Sequence, residues 1–209
     1  MVRTGYLTQK PAYSLPGKGY DFMFKKMLLK FTAFDLVIIA LLAAAGVATK
    51  PFVRVLAQLL TGTLIPNGAV AGVFYMLWIV LACCIVKKRG TAILFGLVQA
   101  ILVVAFDMLG NRGPVGNLLV YVTPGIALDL IMLLFPLYVS GIIAAFCAGA
   151  TANVAGSVIM SLVFMRLPMV PMLIAAVIAA VFGGLGGVLA FKIYQRVMLL
   201  KASGGGVGT

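Results

Sequence analysis

Long apolar runs separated by short polar or basic links set the pattern of the chain. The runs cover roughly 33–49, 68–86, 91–109, 117–135, 138–164 and 170–191, each ended by charge, glycine or proline. A helix needs roughly 20 apolar residues to cross the hydrocarbon core of a bilayer. The pattern therefore predicts an all-α polytopic membrane protein, a six-transmembrane-helix bundle. Residues 50–67, KPFVRVLAQLLTGTLIPN, are apolar but too short for a further span and carry Lys50, Arg54, Gln58 and Pro66. They predict a short helix or re-entrant segment between spans one and two. The expected organisation is a cytoplasmic N-terminal segment 1–32, a membrane domain 33–200 and a flexible tail 201–209. In the first segment Pro11, Pro16, Gly17 and Gly19 break any early helix, while Phe22, Phe24, Met27 and Leu28 among lysines suit either a short interfacial helix or a flexible tail. It has neither a contiguous apolar h-region nor a small-residue cleavage site, so no removed leader is expected.

Composition points the same way. Of 209 residues 64% are hydrophobic and 10% charged, more apolar surface than one water-soluble core buries. The net charge of +12 raises nucleic acid as a partner, but that requires a basic face on a soluble domain. Here the basic residues sit in the links. With the N-terminus cytoplasmic, twelve of them lie inside and four, Lys50, Arg54, Arg112 and Arg166, lie outside, which satisfies the positive-inside rule. Counting 50–67 as a span would move Lys87, Lys88 and Arg89 outside. The expectation is a multi-pass protein of a prokaryotic cell membrane with both termini cytoplasmic and no nucleic-acid partner.

Candidate chemistry is sparse. The chain has no histidine, and Cys83, Cys84 and Cys147 lie inside apolar runs without a CxxC pair, so no metal site, no cofactor and no His-based catalytic triad is expected. The stretch DMLGNRGPVGNLLVYVTPGIALD, 107–129, holds two of the four acidic residues, and ionisable groups at membrane depth are costly enough to mark a cavity or a partner. Together with the facing runs it gives the expected substrate-binding set: Trp78, Gln99, Asp107, Asn111, Asn117, Tyr121 and Asp129. An aromatic face beside a carboxylate suits a heteroaromatic ligand, a cationic one included. Bundle packing for Trp78 and an ion pair with Arg112 for Asp107 are the plainer alternatives. Asp35 reads as a helix N-terminal residue favoured by the dipole. Ala40, Ala44 and Ala48 recur every fourth residue, which places small side chains on one helix face for close approach of another helix, from this chain or from another subunit.

These features carry a resemblance. Six spans, a short apolar segment after the first, the alanine-spaced first helix and the polar LGN-x-GP turn resemble the substrate-binding S component of an energy-coupling factor transporter. The course from TGTLIPNGAVAGVFYMLWIVLACCIVKKRG to FDMLGNRGPVG and GIALD is similar to the S components assigned to thiamine and its hydroxymethylpyrimidine precursor. The resemblance implies capture of a vitamin from outside, association with a transmembrane T component and two cytoplasmic ATPases, and release inward. It implies docking through Ala40, Ala44 and Ala48 and an outer gate around 58–67. The chain has no GxxxxGK[ST] motif of its own, as a non-enzymatic subunit energised by partners requires. It departs from the family in lacking the glutamates of the thiamine binders, with Asp107 and Asp129 as stand-ins. The absence of histidine sets nickel and cobalt aside. The alternatives are a solitary ion-coupled carrier, which should show an inverted repeat, and a membrane-embedded transferase, which needs positioned acid and base groups.

Overall fold

The computed structural model describes residues 31–61, 67–106 and 113–204. Residues 22–28, the turn bearing Asp107 and Asn111, much of the expected gate and the last tail residues lie outside the described residues. All described elements are helical: α1 (Ala33–Thr61), α2 (Asn67–Val70), α3 (Gly72–Val86), α4 (Thr91–Ala105), α5 (Gly113–Ile131), α6 (Ile142–Ile159) and α7 (Met169–Gly204). A 3-10 turn, Met132–Leu134, follows α5, and a π-helical turn, Met160–Met165, follows α6.

Four segments are long and apolar enough to cross a membrane: Ala33–Leu59, Val115–Leu134, Ile142–Met165 and Met169–Ala202. The helices α3 and α4, of 15 residues each, rise about 22 Å and fall short of a full span by length. The large apolar side chains that remain exposed, among them Leu41, Phe52, Ile101, Ile143 and Val177, are spread over α1, α4, α6 and α7. That is the distribution expected where lipid is the surrounding solvent.

The first helix differs from expectation. Residues 50–61 are no separate short helix or re-entrant segment, because α1 continues through Pro51 to Thr61. Proline costs a helix one hydrogen bond, here the one to the Val47 carbonyl, and membrane helices tolerate the gap where side chains supplement the freed groups. Thr49 Oγ1 donates to the Gly46 carbonyl at 3.0 Å, next to that gap. From Phe52 to Leu59 nothing else breaks helix.

One end of the bundle gathers the basic residues. The turn between α3 and α4 reverses through Lys87 (φ 54°) and Gly90 (φ 96°), a left-handed conformation that glycine adopts without a Cβ penalty. Lys88 pairs with Asp35 at the start of α1, and Asp35 also accepts from the Thr32 N–H at 2.7 Å. Arg89 Nη2 donates to the Phe135 carbonyl at 3.3 Å, and Lys87 Nζ lies 5.1 Å from the Tyr194 ring centroid on α7. The start of α1, the α3–α4 turn, the end of α5 and the late part of α7 thus share one end.

Close helix contact holds the other half. On α6 and α7 the backbones of Gly149, Gly183 and Gly187 meet, and a Cβ at Gly149 would strike the Gly183 carbonyl. Buried Asn153, one turn on from Gly149, donates through Nδ2 to the Ala69 carbonyl of α2 at 3.1 Å and to the Ala179 carbonyl of α7 at 2.9 Å. Small residues set the helix separation and an amide then ties three elements together, as is usual where the surrounding lipid supplies no hydrophobic drive.

Candidate functional site

Four helices bring polar and aromatic side chains to one place. On α1 the inward face runs Ala43, Gly46, Val47 and then half-buried Lys50. Lys50 Nζ donates to Gln99 Oε1 of α4 at 3.0 Å. It stands 3.8 Å from the ring centroid of Tyr121 on α5 and 5.8 Å from that of Tyr75 on α3. Gln99 is buried and directs Nε2 at the Ala43 carbonyl, 3.4 Å away. Gly46 leaves the room: a Cβ there would fall 2.5 Å from Gln99 Nε2 and 3.4 Å from Trp78 Cδ1. Trp78 is three residues beyond Tyr75 and on the same helix face. Gly96 packs on the Tyr121 carbonyl, which brings α4 and α5 close enough for Gln99 and Tyr121 to converge on Lys50.

Asn117 precedes Tyr121 by one turn and shares its face. It is 7% exposed, and its Oδ1 has no hydrogen-bond partner. A buried acceptor left unpaired costs about 1–3 kcal/mol. The electrostatics of Lys50 are also incomplete. Removing an ammonium from water costs several kcal/mol, whereas each aromatic face returns about 0.5–2 kcal/mol. The site therefore holds a lysine with one hydrogen bond and two aromatic faces and, one turn from Tyr121, an acceptor without a donor.

Of the expected residues, the structure brings Trp78, Gln99 and Tyr121 to this place, and Asn117 lies one turn from Tyr121 on α5. Asp107 and Asn111 lie outside the described residues. Asp129 is elsewhere. Its carboxylate accepts from the Gly90 and Ile93 N–H groups, both at 3.1 Å, and from Tyr138 Oη at 2.5 Å. Gly90 and Ile93 open α4, so Asp129 caps that helix from a neighbouring one. It sits near the basic end, nine residues below Gln99 along α4, about 13 Å of rise. Burial pushes the Tyr138 phenol far above its usual value, so it remains a hydrogen-bond donor to Asp129. We expect Asp129→Asn to lower stability by about 2 kcal/mol through weakened charge-assisted bonds, seen as a lower unfolding midpoint of the purified protein. An unchanged midpoint would remove the capping role.

Sequence reasoning placed neither Lys50 nor Tyr75 in the site. The available signal was the register of α1: Gly46 and Lys50 are one turn apart on the face that Ala43 and Val47 bury, so a helix continuing past Pro51 carries the lysine inward. Ala40, Ala44 and Ala48 take the other side. All three are exposed, beside Val37 and Leu41, while Ile39, Ala43 and Val47 are buried.

Comparison with known proteins adds the family. The profile of a family described as the permease component of an ABC-type cobalt transport system matches residues 34–155. The chain belongs to that family. The matched region spans α1 to most of α6 and so includes every residue of the four-helix cluster. The fold is similar to that of a solved structure described as an S-component of an ECF transporter, with a TM-score of 0.64 over 82% of this chain and 87% of that one at 16% identity. No curated protein matches the chain by sequence. Membership in a permease family, together with four helices among the described residues long and apolar enough to cross a membrane, makes the chain a multi-pass membrane component of a transport system.

Proposed function

We propose that the chain is the substrate-capture subunit of an energy-coupling-factor type importer. In this reading α3 and α4 also cross the membrane, giving six spans, and the basic end with both termini faces the cytoplasm. The ligand is a small micronutrient of the vitamin class, bound from outside by Trp78, Gln99, Asn117 and Tyr121 with Lys50 and Tyr75. Asp107 and Asn111 are further ligand contacts in this reading, and the segment around 58–67 is its outer gate. A T component docks on Ala40, Ala44 and Ala48, and two ATPases drive release inward. The observation that carries the reading is the convergence of these side chains from α1, α3, α4 and α5, away from the basic end.

Within the vitamin class, thiamine and its hydroxymethylpyrimidine precursor are the ligands that the sequence resemblance favours. Lys50 opposes the cationic ring of thiamine: two like charges 4 Å apart repel by about 4 kcal/mol at an effective dielectric constant of 20. The same repulsion opposes the bare cobalt ion of the family description. The uncharged hydroxymethylpyrimidine is the compatible one of the three.

Two arms test the assignment. The chain purified alone should bind one micronutrient saturably, and the assembled importer should transport it in an ATP-dependent way. Ala44→Leu should abolish co-purification with the T component and leave ligand binding intact, because a branched side chain on an exposed small-residue face blocks helix approach without touching the bundle interior. Uptake by the chain alone, driven by an ion gradient, would overturn the proposal in favour of a solitary carrier.

A further inference from the structure

The geometry points to a hydrogen-bonding subsite for an uncharged part of the ligand on α6, with Ser157 and Ser161 as its specificity-determining residues. The inference rests on the capture reading above and extends its contact set to a helix that the Lys50 cluster does not use. Asn153, Ser157 and Ser161 recur one turn apart on the inward face of α6, and all three are more than nine-tenths buried. Asn153 has two carbonyl partners, Ala69 and Ala179. The hydroxyls of Ser157 and Ser161 have none. A serine or threonine hydroxyl inside a helix ordinarily finds a carbonyl of the preceding turn, as Thr49 does at Gly46 (3.0 Å) and Thr123 at Leu119 (2.7 Å). Ser157 and Ser161 leave that option unused, and buried oxygens are seldom left unpaired. The helix also changes its winding here: the π-helical turn Met160–Met165 starts one residue before Ser161, and such turns cluster at functional sites.

The neighbouring helix carries a third unpaired oxygen. α5 runs toward the basic end and α6 away from it, and a Cβ at Gly156 would fall 3.2 Å from Pro124 Cγ. Asn117 stands seven residues before Pro124 and Ser161 five after Gly156. Each therefore lies beyond that contact on the side away from the basic end, by roughly 10 Å and 7 Å of rise. Asn117 Oδ1, Ser157 Oγ and Ser161 Oγ, the buried side-chain oxygens without a partner among the described residues, thus share one half of one helix pair. Tyr121, which touches Lys50, lies on α5 between Asn117 and Pro124. An amide oxygen only accepts, while each hydroxyl donates and accepts. Their complement is a neutral group with an N–H or O–H donor beside an acceptor, as in the edge of an aminopyrimidine or a hydroxymethyl substituent. That chemistry agrees with the uncharged hydroxymethylpyrimidine favoured above.

The test is thermal shift and equilibrium binding on the full chain in nanodiscs of neutral lipid, for the parent, Ser157→Ala, Ser161→Ala and the double variant. The panel is thiamine, hydroxymethylpyrimidine, riboflavin, biotin, folate and pantothenate. Without ligand the variants should melt with the parent or slightly above it, because removing an unpaired hydroxyl strands no partner. The panel compound that stabilises the parent should bind each single variant roughly fivefold or more weakly. The parent's preference for that compound over an analogue with its N–H and O–H groups methylated should shrink in the double variant, since a site built to hydrogen-bond such groups rejects the analogue lacking them. Variants melting well below the parent without ligand would mean that the hydroxyls are bonded within the bundle, and the subsite would fall. Equal affinity of parent and variants would also overturn it and leave the capture reading standing. A panel in which nothing binds the parent would overturn both.

Discussion

Gly149→Val should leave little folded protein. The α6–α7 contact is made by backbone against backbone: a Cβ at Gly149 meets the carbonyl of Gly183 and lies 3.0 Å from the Gly187 amide nitrogen. Neither atom belongs to a flexible side chain, so the helices themselves must separate. Separation also draws Asn153 away from the Ala179 carbonyl and leaves an amide unsatisfied where no water replaces it. Overpacking costs 1–3 kcal/mol even where side chains yield, and here the cost should reach roughly 3 kcal/mol or more, a large part of ordinary stability. Gly141→Ala is the matched control, since a Cβ there meets nothing within 4 Å. Size-exclusion profiles and melting curves decide the matter. A monodisperse Gly149→Val protein melting with the parent would contradict the packing account.

Trp78→Ala should weaken ligand binding by tenfold or more, about 1.4 kcal/mol. The indole packs on Gly46 and beside Gln99, at the junction of α1, α3 and α4. Its removal takes away an aromatic wall and lets the Gln99 amide, which holds Lys50, relax toward the space. Large-to-small changes at aromatic core positions cost 3–5 kcal/mol when the residue is fully buried. Trp78 is half-buried, so the loss of stability should be smaller than that. Trp78→Phe keeps a ring and should recover part of the affinity. Equal affinity across parent, Phe and Ala variants, measured by equilibrium dialysis, would remove Trp78 from the site.

Much of this was legible in the sequence because the bilayer simplifies the problem. Apolar runs must be helices, and the described helices fall on the expected runs from α3 to α7. The gathering of Lys87, Lys88 and Arg89 with Asp35 and the late part of α7 at one end agrees with the charge asymmetry. Trp78, Gln99 and Tyr121 were visible as polar or aromatic interruptions of apolar runs, and the structure brings them together around Lys50. Three features were not legible. Pro51 reads as a break, yet one missing hydrogen bond does not end a helix whose neighbours continue it. Lys50 then reads as an outer charge, although the extension of α1 turns it inward. Asp129 is rare and deep, which suggests ligand binding, but its partners are the α4 N-terminus and Tyr138, nine residues on. Capping across helices joins residues 36 and 39 positions apart, a separation that no local pattern records.

The cluster around Lys50 contains the only tryptophan of the chain, so fluorescence excited selectively at tryptophan reports on that place alone. Titrating the full chain in neutral-lipid nanodiscs with whichever panel compound raises its melting temperature tests the capture site directly. A saturable change in Trp78 emission, with the same dissociation constant as the thermal shift and lost in Lys50→Gln, is the result expected. A compound that stabilises the protein and leaves Trp78 emission unchanged at saturation would place binding elsewhere and contradict the account.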